Sequence, residues 1–192
     1  MPGQHHAPAR YRADVGLVPP GAPLSDGMVT LRRVEERDLA TIELGARDSE
    51  IARRFGLGNR SAREYLGGYI RALRDGSGAA FAICDPNGAC FGQALIELRD
   101  AGRADVGYWL LPEGRGEGRA TRALRLISRW AFGQAGLAGL QLWTTPENTA
   151  SQRVAERAGF RREGVLRSYA EVEGRRFDAV FFSLLPSDLE PG

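Results

Sequence analysis

Three glycines in five residues, Gly114, Gly116 and Gly118, stand inside the run LLPEGRGEGRATRAL (residues 110–124), which passes without a break into a helical pattern. These residue types point to anion chemistry. A helix N-terminus offers unpaired backbone N–H groups and the positive end of the helix dipole. Glycines let a phosphate approach that backbone closely. Arg115, Arg119, Arg122, Arg125 and Arg129 fall within an arc of about 120° on a helical wheel, and Ala120, Ala123, Leu124, Ile127 and Ala131 occupy a different arc that would pack inward. At the corner itself, Arg115 and Arg119 are expected to touch phosphate, whereas Arg125 and Arg129 read as a solvated face. The segment does not fit G-x-G-x-x-G from either Gly114 or Gly116, and the chain has no lysine for a P-loop. What remains is R-G-x-G-x-A, Arg115 to Ala120. Downstream, Asn148 is a good N-cap for the helix TASQRVAERAG, which makes Ser151 its N3 residue.

The elements that must position these groups follow from periodicity. Residues 1–27 hold five of the ten prolines and no apolar period, which predicts an extended, partly disordered arm; residues 28–192 form one domain. The adjacent His5 and His6 in that arm lack the partners a metal site needs, and no metal is expected. MVTLRRV predicts a strand, EERDLATIELGARD a short helix, and SAREYLGGYIRALRDG a second helix opened by Ser61 and closed near Gly76. Gly67-Gly68 predicts a kink or close packing in it. AAFAIC and ACFGQALIELRD predict a hairpin, ADVGYWLL a strand stopped by Pro112, residues 116–135 the main helix, GLQLWTT a strand, and the segments on either side of EGRR a closing hairpin. The order β-α-α-β-β-β-α-β-α-β-β implies an α/β (α+β) domain on a mixed, mostly antiparallel sheet with one parallel crossover.

Composition narrows the classes. A formal charge of +2 gives no reason to expect wholesale nucleic-acid binding. No apolar run approaches the ~20 residues of a membrane span, and no secretory signal is visible, so a cytoplasmic location is expected. All 26 cationic side chains are arginine, which fits a coding bias. In that compartment Cys84 and Cys90, flanking the turn DPNGA, are expected to be free thiols.

Three ordered motifs, VGYWLLPEGRGEGRATRAL, PENTASQRVAERAGFRREGVLR and GRRFDAVFFSLL, resemble the GCN5-related N-acetyltransferases (the GNAT superfamily), specifically the branch of bacterial ribosomal-protein N-terminal acetyltransferases. The resemblance covers about residues 28–186. It implies a GNAT fold with splayed central parallel strands, DVGYWLL and LQLWTT, that hold acetyl-CoA as a false strand. Leu110 and Leu111 would then make main-chain contacts. The pyrophosphate would sit on the N–H groups of Arg115, Gly116, Glu117, Gly118, Arg119 and Ala120, with Asn148 also at the cofactor. The implied reaction is direct attack of a primary amine on the thioester.

By the same resemblance Ser151, matching the serine of N-x-x-S, donates to the departing thiolate and lies at the cofactor. The general base is less determined. Some relatives carry a glutamate at the position that is Ala170 here; Glu171 is adjacent, but a regular strand turns it to the other face. Glu97 and Asp105 are alternatives, and Tyr108 or Tyr169 could order a water. Asp178 reads as a carboxylate that holds the hairpin. The implied acceptor is a protein N-terminal α-amine; a small-molecule amine acetyltransferase and a non-catalytic acyl-CoA-binding module stay open, as do monomer and homodimer.

Overall fold

The computed structural model describes residues 16–55, 57, 60–99, 102–172 and 174–189. His5, His6 and the arm up to residue 15 lie outside the described residues. The strands are β1 (Leu24–Ser25), β2 (Thr30–Arg33), β3 (Gly78–Cys84), β4 (Cys90–Leu98), β5 (Arg103–Leu110), β6 (Gly139–Thr144), β7 (Arg161–Val172) and β8 (Arg175–Leu184). The helices are α1 (Leu39–Arg47), α2 (Ser49–Phe55), α3 (Ala62–Asp75), α4 (Arg119–Gly133) and α5 (Thr149–Arg157). The strands form one sheet in the order β1-β2-β3-β4-β5-β6-β8-β7. Every neighbouring pair is antiparallel except β5 and β6.

Period-2 alternation sorts the strand side chains onto two faces. Val106 and Leu110 of β5, Ala94 and Ile96 of β4, and Leu140 and Leu142 of β6 join Ala120, Ala123, Leu124 and Ile127 of α4 in the main core. The intervening Trp109 instead packs with Ile51 and Leu57 beneath α2. So α4 and α5 cover one face, and α1 to α3 cover the β3–β5 part of the other. The caps match their sequence signals. Ser61 and Glu64 form a capping box at α3, with Ser61 N–H donating to Glu64 at 2.7 Å, and Gly76 closes the helix in the left-handed region at φ 74°.

Five features depart from the sequence reading. The main helix starts at Arg119, because Gly116 and Gly118 have φ of +90° and +74°, which is incompatible with a right-handed helix. The first predicted helix is divided into a 3-10 turn, Glu36–Asp38, followed by α1. Asp38 turns inward there, accepting from Arg32 at 2.8 and 2.7 Å and from the Glu35 N–H at 2.8 Å. The additional elements β1 and α2 are too short for a period to reveal. Part of the predicted arm is therefore built into the fold: Leu17 is buried in the main core, its N–H donates to Gly76 C=O at 2.7 Å, and β1 pairs with β2. Helix α3 runs unbroken through Gly67-Gly68, and a Cβ at either site would meet only the Arg71 guanidinium, so these glycines serve no close packing.

The fifth departure concerns the cysteines. Cys84 and Cys90 are joined as a disulfide rather than free. The register of β3 and β4 places them directly opposite each other, with Cα atoms 4.0 Å apart. Sequence spacing permits that pairing, but only the strand register imposes it.

Candidate active site

The site is created by a fork in the sheet. β5 and β6 pair over only three rungs, Arg103–Gly139, Ala104–Leu140 and Asp105–Gln141. Beyond them β5 stays paired with β4 as far as Leu110, and β6 stays paired with β8 as far as Thr144. The strands therefore part with backbone groups on their inner edges left over, which is what a ligand acting as an extra strand requires. A cleft of about 590 Å³ opens there, lined by β5 and β6, the Arg115–Thr121 corner, α2 and the start of α5. Asp105 stands at the vertex of the fork. Its carboxylate accepts from Gln141 Nε2 at 2.6 Å, across the last rung, and from Arg99 Nε at 2.6 Å on its other oxygen.

Leu110 and Leu111 take different parts. The Leu111 N–H donates to Phe91 C=O on the β4 side at 2.7 Å. Antiparallel ladders alternate their hydrogen-bonding residues, so the Leu110 groups face the gap. Of the two, Leu110 lines the cleft and Leu111 does not. Beyond β5 a 3-10 turn, Pro112–Gly114, brings the chain to the glycine corner. Gly114 lies against Phe91, where a Cβ would come within 2.5 Å of the Phe91 Cβ. Gly116 and Gly118 face open space. The first intrahelical bond is Arg122 N–H to Gly118 C=O, and the N–H groups of the turn before it make no hydrogen bond among the described residues.

The arginine side chains are placed differently from the sequence expectation. Arg115 Nε donates to Leu110 C=O at 3.0 Å, and its guanidinium reaches Asp48 at 3.4 Å and Glu50 at 3.7 Å. The Arg115 N–H is used by Pro112 C=O. Arg119 is stacked over Phe91, 4.3 Å from the ring centroid, and paired with Glu117 at 2.8 Å. At the corner both guanidiniums have partners in the protein, while the backbone N–H groups of Gly116 to Ala120 have none among the described residues. A second groove of about 560 Å³ adjoins the corner, lined by Arg122, Arg125, Arg129 and Arg157 along with Asp26 and Glu117. Arg122 pairs with Asp26 at 2.8 Å. Burial alone would raise the Asp26 carboxyl, but hydrogen bonds from Arg122 and from the Val29 and Met28 N–H groups outweigh it and hold it below the ordinary value.

On the α5 side, Asn148 caps the helix by accepting the Ser151 N–H at 3.2 Å. The Ser151 hydroxyl is left to face the cleft, and Tyr108 Oη donates to it at 3.2 Å. This pairing was not read from the sequence. Its one signal is that Tyr108 shares the α4/α5 face with Val106 and Leu110. Burial is the main influence on the phenol and raises it above its ordinary value, although the Ser151 hydrogen bond acts against this. Tyr108 thus stays a protonated donor at neutral pH.

Glu97 and Asp105 lie on the opposite face. Glu97 lines the cleft opposite Asp105 in the β4–β5 register, is exposed, and makes no hydrogen bond or ion pair among the described residues. Asp105 lines the cleft too, but both its oxygens are engaged, which removes it as a free base. Glu171 points away from the cleft and pairs with Arg176 at 3.1 Å, while Ala170 lines the cleft. Plain alternation puts neighbouring residues on opposite faces; upstream, a bulge shifts the register of β7 and β8 between Leu166 and Ala170, with Ser168 at φ 54°. Asp178 holds that bulge by accepting the Ser168 N–H at 2.8 Å. Tyr169 is wedged between Trp143 and Phe181 in edge-to-face contacts and is absent from the lining.

The model of the acetyltransferase (GNAT) domain matches residues 28–161, more than half of the chain. The chain belongs to the GNAT acetyltransferase family. The N-acetyltransferase p20 of Bacillus licheniformis, itself uncharacterised, is 34% identical over 87 residues, 45% of this chain and 49% of p20. YdaF of Bacillus subtilis, provisionally named a ribosomal N-acetyltransferase, is 35% identical over 88 residues, 46% of this chain and 48% of YdaF. The chain thus spans about half the length of these two curated relatives. Among solved structures, Mycobacterium smegmatis RimJ in complex with CoA-disulfide superposes with a TM-score of 0.76 at 28% identity, over 88% of each chain. The forked GNAT sheet, with α4 and α5 on one face and α1 to α3 on the other, is the architecture shared with that CoA-bound structure.

Proposed function

We propose that this GNAT protein transfers the acetyl group of acetyl-CoA to a primary amine, and that the amine is a protein N-terminal α-amine. The observation that carries the reaction is the fork between β5 and β6, with the unpaired N–H groups of the Gly116–Ala120 corner at its open end. The pantetheine would lie along the Val106–Leu110 edge and the pyrophosphate on the corner, as the resemblance implies. Arg122, Arg125, Arg129 and Arg157 would face the remaining phosphate of the nucleotide end. No group of three or more His, Cys, Asp or Glu that could hold a metal occurs among the described residues.

The two faces of the fork divide the labour. On the α5 face the Ser151 hydroxyl, itself accepting from Tyr108, can pass a proton to the thiolate as the C–S bond breaks while drawing one from Tyr108, whose phenol then regains, through water in the cleft, the proton that the amine releases. On the other face Glu97 is the free carboxylate available to take a proton from the attacking amine, directly or through water. The expected backbone donor to the oxyanion is the Leu110 N–H.

The scarcity of unpaired carboxylates in the cleft supports the choice of acceptor. An α-amine with a pKa of about 7.8 is roughly one-third neutral at pH 7.5, whereas an alkyl amine near 10.4 is neutral in only about one molecule in a thousand. A cleft with Ala170 where a relative would carry glutamate, and an exposed Glu97, suits the first kind of acceptor. The similarity to YdaF points the same way. Thiol release from acetyl-CoA, measured against peptides with free N-termini, polyamines, amino acids and aminoglycosides, tests the reading. Turnover confined to polyamines or other small amines would move the acceptor class. CoA binding without turnover on any amine would make the protein an acyl-CoA-binding module.

A further inference from the structure

The Arg115 side chain joins two parts of the site that the fold otherwise keeps separate. Its Nε holds the Leu110 C=O, a group that faces the fork. Its terminal nitrogens reach Asp48 at 3.4 Å and Glu50 at 3.7 Å, both longer than a charge-assisted hydrogen bond of about 2.7–2.9 Å. Asp48 is also the residue that starts α2, for its other oxygen accepts the N–H groups of Glu50 and Ile51 at 2.9 and 3.0 Å. Helix α2 in turn supplies one wall of the cleft through Glu50, Ile51, Arg54 and Phe55. A single guanidinium thus spans from the edge where the thioester arm must lie to the carboxylate that anchors the opposing wall.

The seating of α2 carries its own sign of incompleteness. Arg54 Nε and Trp109 Nε1, one on α2 and one directly beneath it, are buried with no hydrogen-bond partner among the described residues. Buried unpaired donors cost free energy, so this position of α2 leaves room for a better one.

We propose that Arg115 is a positioning residue that couples acetyl-CoA binding to α2: arrival of the pantetheine at Leu110 displaces the guanidinium from that carbonyl onto Asp48 and Glu50, which seats the α2 wall for the acceptor. This rests on the acetyl-CoA reading above. It also gives Arg115 a task other than holding phosphate, consistent with its N–H and Nε both being directed to backbone carbonyls.

The test uses the full chain and CoA itself. In the parent protein, saturating CoA should slow amide hydrogen exchange in residues 51–55. In Arg115→Met, CoA should bind with nearly parental affinity by calorimetry, because the backbone corner is intact, but exchange in α2 should no longer respond. Asp48→Asn is the second variant: asparagine keeps the helix cap and removes the charge, so it should lose the same response even if Arg115→Met folds poorly. With an acceptor peptide, both should raise the acceptor KM by about 5- to 10-fold, the low end of ordinary coupling between sites, with little change in the acetyl-CoA KM. Arg115→Lys, which cannot bridge two partners, should not rescue. If Arg115→Met costs CoA affinity tenfold or more while Asp48→Asn keeps the α2 response, Arg115 is a phosphate contact and the coupling is wrong. If CoA binds the parent and leaves α2 exchange unchanged, the coupling fails while the acetyl-CoA reading stands. If CoA does not bind the parent at all, the acetyl-CoA reading fails, and the coupling with it.

Discussion

Removing the hydroxyl of Ser151 should slow acetyl transfer without weakening acetyl-CoA binding, and removing the hydroxyl of Tyr108 should matter only through Ser151. The two oxygens are 3.2 Å apart in a partly buried setting. A neutral hydrogen bond of this kind contributes about 0.5–1.5 kcal/mol net. At about 1.4 kcal/mol per factor of ten, Tyr108→Phe should lower kcat by about 2- to 12-fold. Ser151→Ala removes the donor nearest the sulfur and should lower kcat by about 10- to 1,000-fold, the range between one weak donor and a full acid. The double variant should be no slower than Ser151→Ala alone, since Tyr108 has nothing left to hold. The assay is thiol release at saturating acetyl-CoA and acceptor, with thermal melts to show that each variant is folded. Because burial keeps the phenol above its ordinary value near 10, Tyr108 itself should cause no fall in rate between pH 7 and 9 in the parent. Additive losses in the double variant would refute the relay and place Tyr108 on the sulfur directly. A Ser151→Ala enzyme as fast as the parent would reduce Ser151 to a helix residue.

Three further outcomes are expected. Gly118→Asp should cost about 1–2 kcal/mol of stability, because an L residue is forced into the left-handed region, yet remain folded, since nothing lies within 4 Å of the new Cβ; its CoA affinity should fall at least about 100-fold as a carboxylate meets the pyrophosphate, and calorimetry showing parental affinity would mean the corner is only a helix start. Asp38→Asn should cost about 3 kcal/mol in urea unfolding, the lower end for a broken buried pair because Arg32 keeps 15% of its side chain exposed. Burial alone would raise the Asp38 carboxyl, but the hydrogen bonds from Arg32 and the Glu35 N–H hold it below its ordinary value; its contribution is therefore fully present above about pH 4 and is lost as pH falls through the lowered folded value, and the variant should lose less stability than the parent between pH 5 and 2. Freshly isolated protein should weigh two hydrogens less than its reduced form and take up an alkylating reagent at Cys84 and Cys90 only after reduction; immediate labelling would show the pair open.

Legibility in the sequence tracked the range of the interaction. Gly116 and Gly118 were readable as a corner because left-handed backbone is a local property of glycine, and the structure shows both there. The Ser61 and Asn148 caps were readable because a cap involves residues three apart. The main helix was set three residues too early, since an apolar period does not register the sign of φ. The neighbouring glycines of α3 misled in the other direction, because a low helix propensity was outweighed by the flanking turns and tertiary packing.

The sequence by itself determined the order of the main elements, the glycine corner ahead of the main helix, and Ser151 in the first turn of α5, since each depends on residues only a few positions apart. The tertiary structure alone decided which side chains meet at the corner and the cleft. Arg115 was expected at phosphate and turned to Leu110 and Asp48, the latter 67 positions away in the chain. The bulge at Ser168 is anchored by Asp178 of the partner strand, ten positions on in the chain. Tyr108 met Ser151 across 43 positions, and Cys84 met Cys90 through strand register. Side-chain direction in a sheet reverses with every residue, so a single bulge or register shift reassigns a face. Such shifts are set by packing between strands, and no local pattern in the chain encodes them.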